Sequence, residues 1–123
     1  MGEKPAVKNA AGKERRRSRR IVCDMFVEAV VDRHGSMFRG TIRDISQTGC
    51  YIETRARLNL QRLTRVDMRI MVQKSCYHAS ARVMDVRPGK GLGLEFELAD
   101  ARAEEWIREL ILALKAAGFP DKD

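Results

Sequence analysis

The sequence predicts a mainly β protein: a small six-stranded antiparallel barrel with a C-terminal helix and a flexible basic N-terminal arm. Three observations lead to this fold class. Short segments of alternating apolar and polar residues recur between residues 24 and 96, with turn signals between them. Beyond residue 100 the apolar residues adopt a helical spacing. Most of the net charge of the 123-residue chain lies in its first 20 residues. A chain of this length can bury one hydrophobic core.

The first two predicted strands form a hairpin. From residue 24 onward, one face of the first strand is apolar, with Met25, Val27, Ala29 and Val31. Residues 33–36 form the turn, in which Gly35 can adopt a positive φ without steric cost. The second strand continues through Phe38, Gly40, Ile42 and Asp44.

Four further strands and a helix follow. The strands are predicted at residues 50–53, 66–72, 79–86 and 92–96. An amphipathic helix is predicted from residue 101 to about 117, because apolar side chains recur on one face at Trp106, Ile107, Leu110, Ile111 and Leu114. Gly118 and Pro120 are stop signals. The resulting division of the chain is a disordered tail (1–13), a domain (14–117, comprising an arm at 15–20, a barrel at 21–97 and a helix at 101–117) and a C-terminal tail (118–123).

The charge of the chain is unevenly distributed. Residues 1–20 contain eight basic and two acidic residues, whereas residues 21–123 contain sixteen basic and fifteen acidic ones. A basic arm on a nearly neutral body favours an anionic partner such as a nucleotide, a nucleic acid or a membrane surface. The sequence shows neither a secretory h-region nor a membrane span, so we expect a cytoplasmic protein.

No residue pattern indicates catalysis, a metal or a cofactor. Cys23, Cys50 and Cys76 are odd in number and far apart, which favours reduced structural cysteines over a disulfide framework or a zinc site. His34 and His78 lack a third ligand at metal spacing, and no nucleophile–base set is visible. We therefore expect a protein that is not an enzyme.

The predicted hairpin brings two distant segments together. If the turn centres on residues 34–35, Asp24 lies opposite Asp44 or Ile45, and Arg20 lies near Gly49. The arginine cluster at residues 15–20 then lies beside the segment 44–49. Sequence-distant charges become neighbours at one end of the barrel.

Those neighbours suit a ligand that has both phosphates and guanine. Arginine meets phosphate and the O6/N7 edge of guanine with two parallel donors. The carboxylate of Asp44 can accept from guanine N1–H and its amine, and Ser46 offers a hydroxyl to phosphate or to its own loop. Gly49 permits a positive φ and close approach of the ligand.

The chain resembles the PilZ domains, a family of bacterial receptors for cyclic di-GMP. The resemblance rests on Glu14-Arg15-Arg16-Arg17-Ser18-Arg19-Arg20 followed by Asp44-Ile45-Ser46-Gln47-Thr48-Gly49, similar to the family motifs R-x-x-x-R and D/N-x-S-x-x-G. The strand at 91–96 and the C-terminal helix are also typical of the family. The resemblance covers residues 14–117 and implies the PilZ-type barrel.

The resemblance also implies residue roles. The motif arginines are Arg16 and Arg20 if apolar Ile21 is to follow the second one, although Arg15 and Arg19 also fit the spacing. These arginines would grip guanine and phosphate, Asp44 would recognise the guanine amine edge, and Ser46 and Gly49 would complete the floor. Arg15 resembles the arginine of family members that take two intercalated ligand molecules. Further candidates for ligand contact are Arg17, Arg19 and Gly93.

Three functions are consistent with these features. In the first, the arm closes over cyclic di-GMP and the closed surface contacts a protein effector. The second is a PilZ-like adaptor that acts without ligand. The third is a small barrel that binds nucleic acid through the basic arm, which the small number of aromatic residues, seven in the chain, does not favour.

Overall fold

The computed structural model describes residues 20–31 and 35–122. The elements are, in order, β1 (Arg20–Val31), β2 (Met37–Ile45), β3 (Gly49–Glu53), β4 (Arg65–Val72), β5 (Ser75–Arg87), β6 (Gly91–Phe96), α1 (Ala101–Ala116) and β7 (Asp121–Lys122). The predicted tail at 1–13 and the arm residues up to 19 lie outside the described residues. Their disorder and flexibility stay predictions.

The strands form a closed antiparallel barrel. Hydrogen bonds connect them in the order β2-β3-β6-β5-β4-β1, and β1 pairs again with β2 to close the sheet. The prediction of a six-stranded antiparallel barrel with one C-terminal helix is confirmed. In the part of the chain that the structure describes, no helix is long and apolar enough to cross a bilayer.

A single core fills the barrel and extends to the helix. The odd-numbered positions of β1 point inward, as their alternation predicted, and Val27 and Ala29 are fully buried. On the helix the buried residues are Ile107, Leu110, Ile111 and Leu114. These side chains join the barrel residues in one cluster. The apolar residues that recur at helical spacing between positions 107 and 114 are therefore the face of α1 that packs on the barrel.

Both ends of α1 carry recognisable caps. The side chain of Asp100 accepts a hydrogen bond from Ala103 N at 2.9 Å, which satisfies one of the free amides of the first turn. At the other end Gly118 has φ +95° and donates to Lys115 O, and Phe119 N donates to Leu114 O. This is the Schellman arrangement, in which glycine supplies the left-handed residue. The helix ends within one residue of the predicted position.

The strand β7 is absent from the sequence prediction, which treats residues 118–123 as a tail. It pairs with the start of β1, matching Arg20 with Lys122 and Ile21 with Asp121. Val22 N also donates to Pro120 O at 3.1 Å. A strand of two residues is too short to show the alternation of apolar and polar side chains by which strands are recognised in a sequence. Because β2 pairs with β1 on its other side, the base of the arm is held between two strands.

The fifth strand is longer than predicted. It begins at Ser75, four residues before the predicted start, so His78 lies inside the strand instead of at its beginning. The preceding turn places Gln73 at φ +55° in a tight connection to β4. The sequence contains neither glycine nor asparagine there, so the usual signal of a two-residue hairpin turn is missing.

Candidate ligand site

The β1–β2 hairpin brings Arg20 and Asp44 together, although its register differs from the prediction. Val22, and not Asp24, pairs with Asp44. One cause is the loop, which is closed by a hydrogen bond from Val31 N to Ser36 O at 2.8 Å and so centres earlier than expected. The other is an extra residue in β1, at an irregularity in its pairing with β2. Arg20 still lies beside Asp44 after both shifts, and the position of the other arm residues stays a prediction.

The resulting contact is an ion pair at the base of the arm. Arg20 Nη1 donates to Asp44 Oδ1 at 2.5 Å, whereas the prediction placed Arg20 near Gly49. The side chains of Arg20 and Asp44 are 49% and 24% exposed. A pair so open to solvent contributes about 0–1 kcal/mol to stability. Both groups therefore remain available to a ligand.

A second irregularity turns Asp44 outward. In the pairing of β2 with β3, the register shifts between Ile42 and Asp44. Ile42 and Ile45 are both fully buried, so the two residues between them lie on the outer face. A regular alternation from Phe38 would have pointed Asp44 inward with the core. The shift is what makes the carboxylate accessible.

Ser46 organises the loop that follows β2. Its side chain is buried, and its Oγ accepts from the amides of Thr48 at 3.2 Å and Gly49 at 3.3 Å. Ser46 N in turn donates to Gly49 O at 2.8 Å. Of the two roles that the sequence allowed, bonding to its own loop is the one present here. Direct contact of Ser46 with a ligand stays a prediction.

Gly49 is required for a different reason from the predicted one. Its φ is not in the positive range, which is occupied by Gly35, Gly89 and Gly118 among the described glycines. A Cβ at Gly49 would lie 2.1 Å from Leu94 O on the neighbouring strand β6. The glycine therefore permits the close approach of two strands. The expected positive φ was wrong.

A cavity of about 500 Å³ opens where these residues meet. Its lining comes from five parts of the barrel: Arg20 of β1, Asp44 of β2, the segment Thr48, Gly49, Cys50 and Tyr51, then Met84 and Arg87 of β5, and Gly93, Leu94 and Glu95 of β6. Gly93, a predicted candidate, faces open space, with nothing within 4 Å of where its Cβ would be. The candidates Arg15, Arg16, Arg17 and Arg19 lie outside the described residues.

Among the lining residues that sequence reasoning did not propose as ligand contacts are Tyr51, Met84 and Arg87. They belong to no motif, and their position depends on the pairing of β3 and β5 with β6. That pairing joins strands far apart in sequence. Only an alignment of the barrel onto a known topology would have pointed to them.

A second groove, of about 460 Å³, lies between α1 and the strands β4 and β5. Trp106 meets His78 edge to face there, with ring centroids 5.8 Å apart. Three of its charged groups are paired with one another: Arg65 lies 3.4 Å from Glu97 and 3.5 Å from Asp67. The first cavity contains the motif residues Arg20, Asp44 and Gly49 and is therefore the candidate ligand site.

Neither a metal cluster nor a disulfide is present among the described residues. Burial raises the pKa of the Cys23 thiol to about 12, and the Asp44 carboxylate adds to the effect. Burial, with the same carboxylate, also raises the pKa of Cys50. Cys76 is partly exposed.

These thiols give a prediction about reactivity. In the folded protein at pH 8, Cys76 is expected to react rapidly with a thiol reagent because it is partly exposed. Burial keeps the thiol of Cys23 protonated and shields it from the reagent. Cys23 and Cys50 should react at the rate of unfolding. Mass spectrometry over time measures this, with Cys76→Ser as control. More than one rapidly labelled thiol would contradict the assignment.

The raised pKa values of Cys23 and Cys50 also determine how the stability of the fold depends on pH. Because the folded state holds these thiol protons more tightly than the unfolded state, the two cysteines stabilise the fold fully below the unfolded thiol pKa of about 8.5. The contribution of Cys23 declines as the pH rises from there toward about 12. Stability should therefore begin to fall at a higher pH in Cys23→Ala than in the unsubstituted protein. The comparison is made after subtracting the stability that the variant loses at neutral pH, where removal of the thiol leaves a cavity.

A family model, PilZ domain, matches residues 14–113. The chain belongs to the PilZ domain family. The match includes both the arginine segment and the loop at 44–49, so the resemblance inferred from those motifs is confirmed. No curated protein matches the PilZ chain closely enough by sequence to count as a relative.

Solved PilZ structures share the fold at low sequence identity. The PilZ domain of CeSA from a cellulose-synthesizing bacterium is 20% identical, with a TM-score of 0.69, covering 78% of this chain and 97% of that one. The PilZ domain of YcgR from Escherichia coli with c-di-GMP is 19% identical, with a TM-score of 0.69 and coverages of 84% and 93%. The MrkH–c-di-GMP complex of K. pneumonia is 18% identical, with a TM-score of 0.66 and coverages of 84% and 53%.

Proposed function

We propose that this PilZ domain is a cytoplasmic, non-enzymatic receptor for cyclic di-GMP that closes its arginine arm over the ligand and signals by contacting a protein effector. The observation that carries the proposal is the meeting of Arg20 and Asp44 at the mouth of a cavity of about 500 Å³. Family membership supports it, as do the structural neighbours YcgR and MrkH, which were solved with c-di-GMP.

The ion pair suggests how the site changes when ligand arrives. Guanine offers N1–H and an amine to Asp44, and the ligand phosphates and the O6/N7 edge offer acceptors to Arg20. The existing pair is worth about 0–1 kcal/mol because it is exposed. Each new hydrogen bond to a charged group is worth about 1.5–3 kcal/mol. Exchange of the pair for ligand contacts is therefore favourable.

The position of Arg20 favours one frame of the arginine motif. Arg20 is the first residue of β1, fixed beside Asp44 and between β2 and β7. The frame that uses Arg16 and Arg20 contains this anchored arginine, whereas the frame with Arg15 and Arg19 does not. We therefore assign Arg16 and Arg20 to the ligand, with Arg15 favouring a second ligand molecule.

The energy of arm closure fits a reversible sensor. Fixing five or six arm residues costs roughly 5–12 kcal/mol of backbone entropy. Four to six charge-assisted hydrogen bonds, at about 1.5–3 kcal/mol each, are of the size needed to offset that cost. Neutralising the clustered arginines removes their mutual repulsion as well.

A binding competition tests the proposal. Fluorescence polarisation of labelled cyclic di-GMP should show saturable binding that unlabelled cyclic di-GMP displaces and that GTP or a random oligonucleotide does not. Arg20→Ala should weaken binding about tenfold or more, because it removes contacts made to the ligand.

Arg69→Ala is the matched control. Arg69 lies on β4, ion-paired with Glu28 at 3.9 Å, and its removal changes the net charge equally. Its effect should stay within about threefold, the scale of a general charge effect in salt. Equal losses in the two variants, or displacement by the oligonucleotide, would favour a basic arm that binds nucleic acid. Absence of binding would favour a ligand-independent adaptor.

A further inference from the structure

The outer face of β3, β6 and β5 contains a hollow that the family motifs do not explain. Tyr51 on β3 lies across from Gly93 on β6, which in turn pairs with Asp85 on β5. Nothing lies within 4 Å of the position that a Cβ on Gly93 would occupy. The hollow is part of the cavity that also contains Asp44.

Tyr51 forms one wall of this hollow and leaves it open. Its side chain leans toward Gly91: a Cβ there would lie 2.6 Å from Tyr51 Oη and 2.8 Å from Cζ. The ring tip therefore occupies the space that a side chain at position 91 would need, while the space above Gly93 stays empty. Tyr51 is half-buried, so part of the ring faces the cavity. An aromatic ring held in this way is a stacking surface for a base.

Arg87 lies at the far side of the hollow. It pairs with Gly91 across β5 and β6, which places it on the side toward which Tyr51 leans. Its side chain is 67% exposed, and its Nε lies 3.5 Å from the equally open Asp85. An exposed guanidinium next to a stacking surface has the chemistry needed to read the O6/N7 edge of guanine.

This wall and Asp44 lie on opposite sides of the cavity. Asp44 lies on β2 and Arg87 on β5, three strands apart in the order β2-β3-β6-β5. At about 4.8 Å per strand their backbones are roughly 14 Å apart, so a base placed against Asp44 is centred over β2 and β3. A base that contacts Asp44 therefore leaves the hollow at Gly93 to another base.

We infer that Tyr51 and Arg87 form a second guanine subsite, in which Tyr51 stacks on the base and Arg87 reads its O6/N7 edge. The inference rests on the proposed binding of cyclic di-GMP and adds to it the source of specificity for the guanine that Asp44 does not contact. Adenine, which presents an amino donor where guanine presents O6, would meet the arginine unfavourably.

The test compares two probes of equal charge, cyclic di-GMP and cyclic GMP-AMP. The unsubstituted protein should prefer cyclic di-GMP by about 10- to 100-fold, the discrimination expected of one bidentate arginine. In Arg87→Ala the preference should shrink to within about threefold, because both bases then only stack. A merely electrostatic role of Arg87 would weaken both probes equally and leave the ratio unchanged. Arg69→Ala, with the same charge change, should also leave it unchanged.

Two further variants test the ring and the hollow. Tyr51→Leu should weaken both probes about tenfold and Tyr51→Phe should restore binding, because the stacking face alone is needed. Gly93→Leu should fold and yet bind both probes more weakly. An unchanged probe ratio in Arg87→Ala, with normal binding of cyclic di-GMP, would overturn the inference while leaving the proposed function intact. No binding of either probe by the unsubstituted protein would overturn both.

Discussion

Replacing Asp44 with asparagine is expected to weaken the binding of cyclic di-GMP by about 10- to 100-fold. The carboxylate accepts from two guanine donors, whereas an amide turns its own donor toward one of them. The fold should persist, because Asp44 is at the surface and its pair with Arg20 is exposed. Isothermal titration measures the affinity, and thermal unfolding measures the stability.

The sign of this effect separates two models of the site. If the arm bound anions without recognising guanine, removal of a negative charge at Asp44 would leave binding unchanged or strengthen it. Asp24→Asn is the matched control, because Asp24 is an aspartate on the same hairpin. Its Oδ1 lies 3.6 Å from Nη1 of Arg43 in a pair that is likewise exposed. A loss confined to Asp44→Asn supports guanine recognition. A gain in both variants would contradict it.

The second large effect is expected from Gly49→Ala, on stability. The new Cβ would lie 2.1 Å from Leu94 O and 3.2 Å from the Cα of Glu95. Both atoms belong to the backbone of β6, so the clash cannot be relieved by turning a side chain. We expect a loss of about 3 kcal/mol or more, at the upper end of what overpacking costs. Urea unfolding followed by Trp106 fluorescence measures it.

Gly93→Ala provides the comparison on the same pair of strands. Its Cβ would enter open space, and its φ is not in the positive range. The free energy of unfolding should be unchanged or rise by up to about 1 kcal/mol. If Gly49→Ala and Gly93→Ala proved equally stable, the close approach of β3 and β6 would not be the reason for the glycine at 49.

Local patterns in the sequence predicted the main elements and the meeting of arm and loop. The alternation from Met25 to Val31 identified β1, since side chains in a strand alternate between faces. The hairpin turn with Gly35 predicted that Arg20 lies near the loop that contains Asp44, as it does. What failed was register, because the exact centre of the loop and the extra residue in β1 leave no mark in the apolar pattern.

Features that depend on strands distant in sequence could not be predicted. The clash that requires Gly49 arises from Leu94 on β6, and the hollow above Gly93 exists because Tyr51 leans toward Gly91. Each of these contacts joins β3 to β6 across the barrel surface. Among the cavity lining, sequence reasoning therefore pointed to Arg20, Asp44, Gly49 and Gly93. It missed Tyr51, Met84 and Arg87, whose positions depend on the pairing of strands distant in sequence.

The receptor function is tested by isothermal titration of cyclic di-GMP into the unsubstituted protein and into the Arg16→Ala/Arg20→Ala variant. We expect saturable binding that the double substitution abolishes, with a stoichiometry of two molecules per chain if Arg15 acts as inferred. Saturation at one ligand molecule per chain would contradict only the role of Arg15 and would leave the receptor function standing. No heat, and no change in melting temperature on a folded sample, would contradict the receptor function.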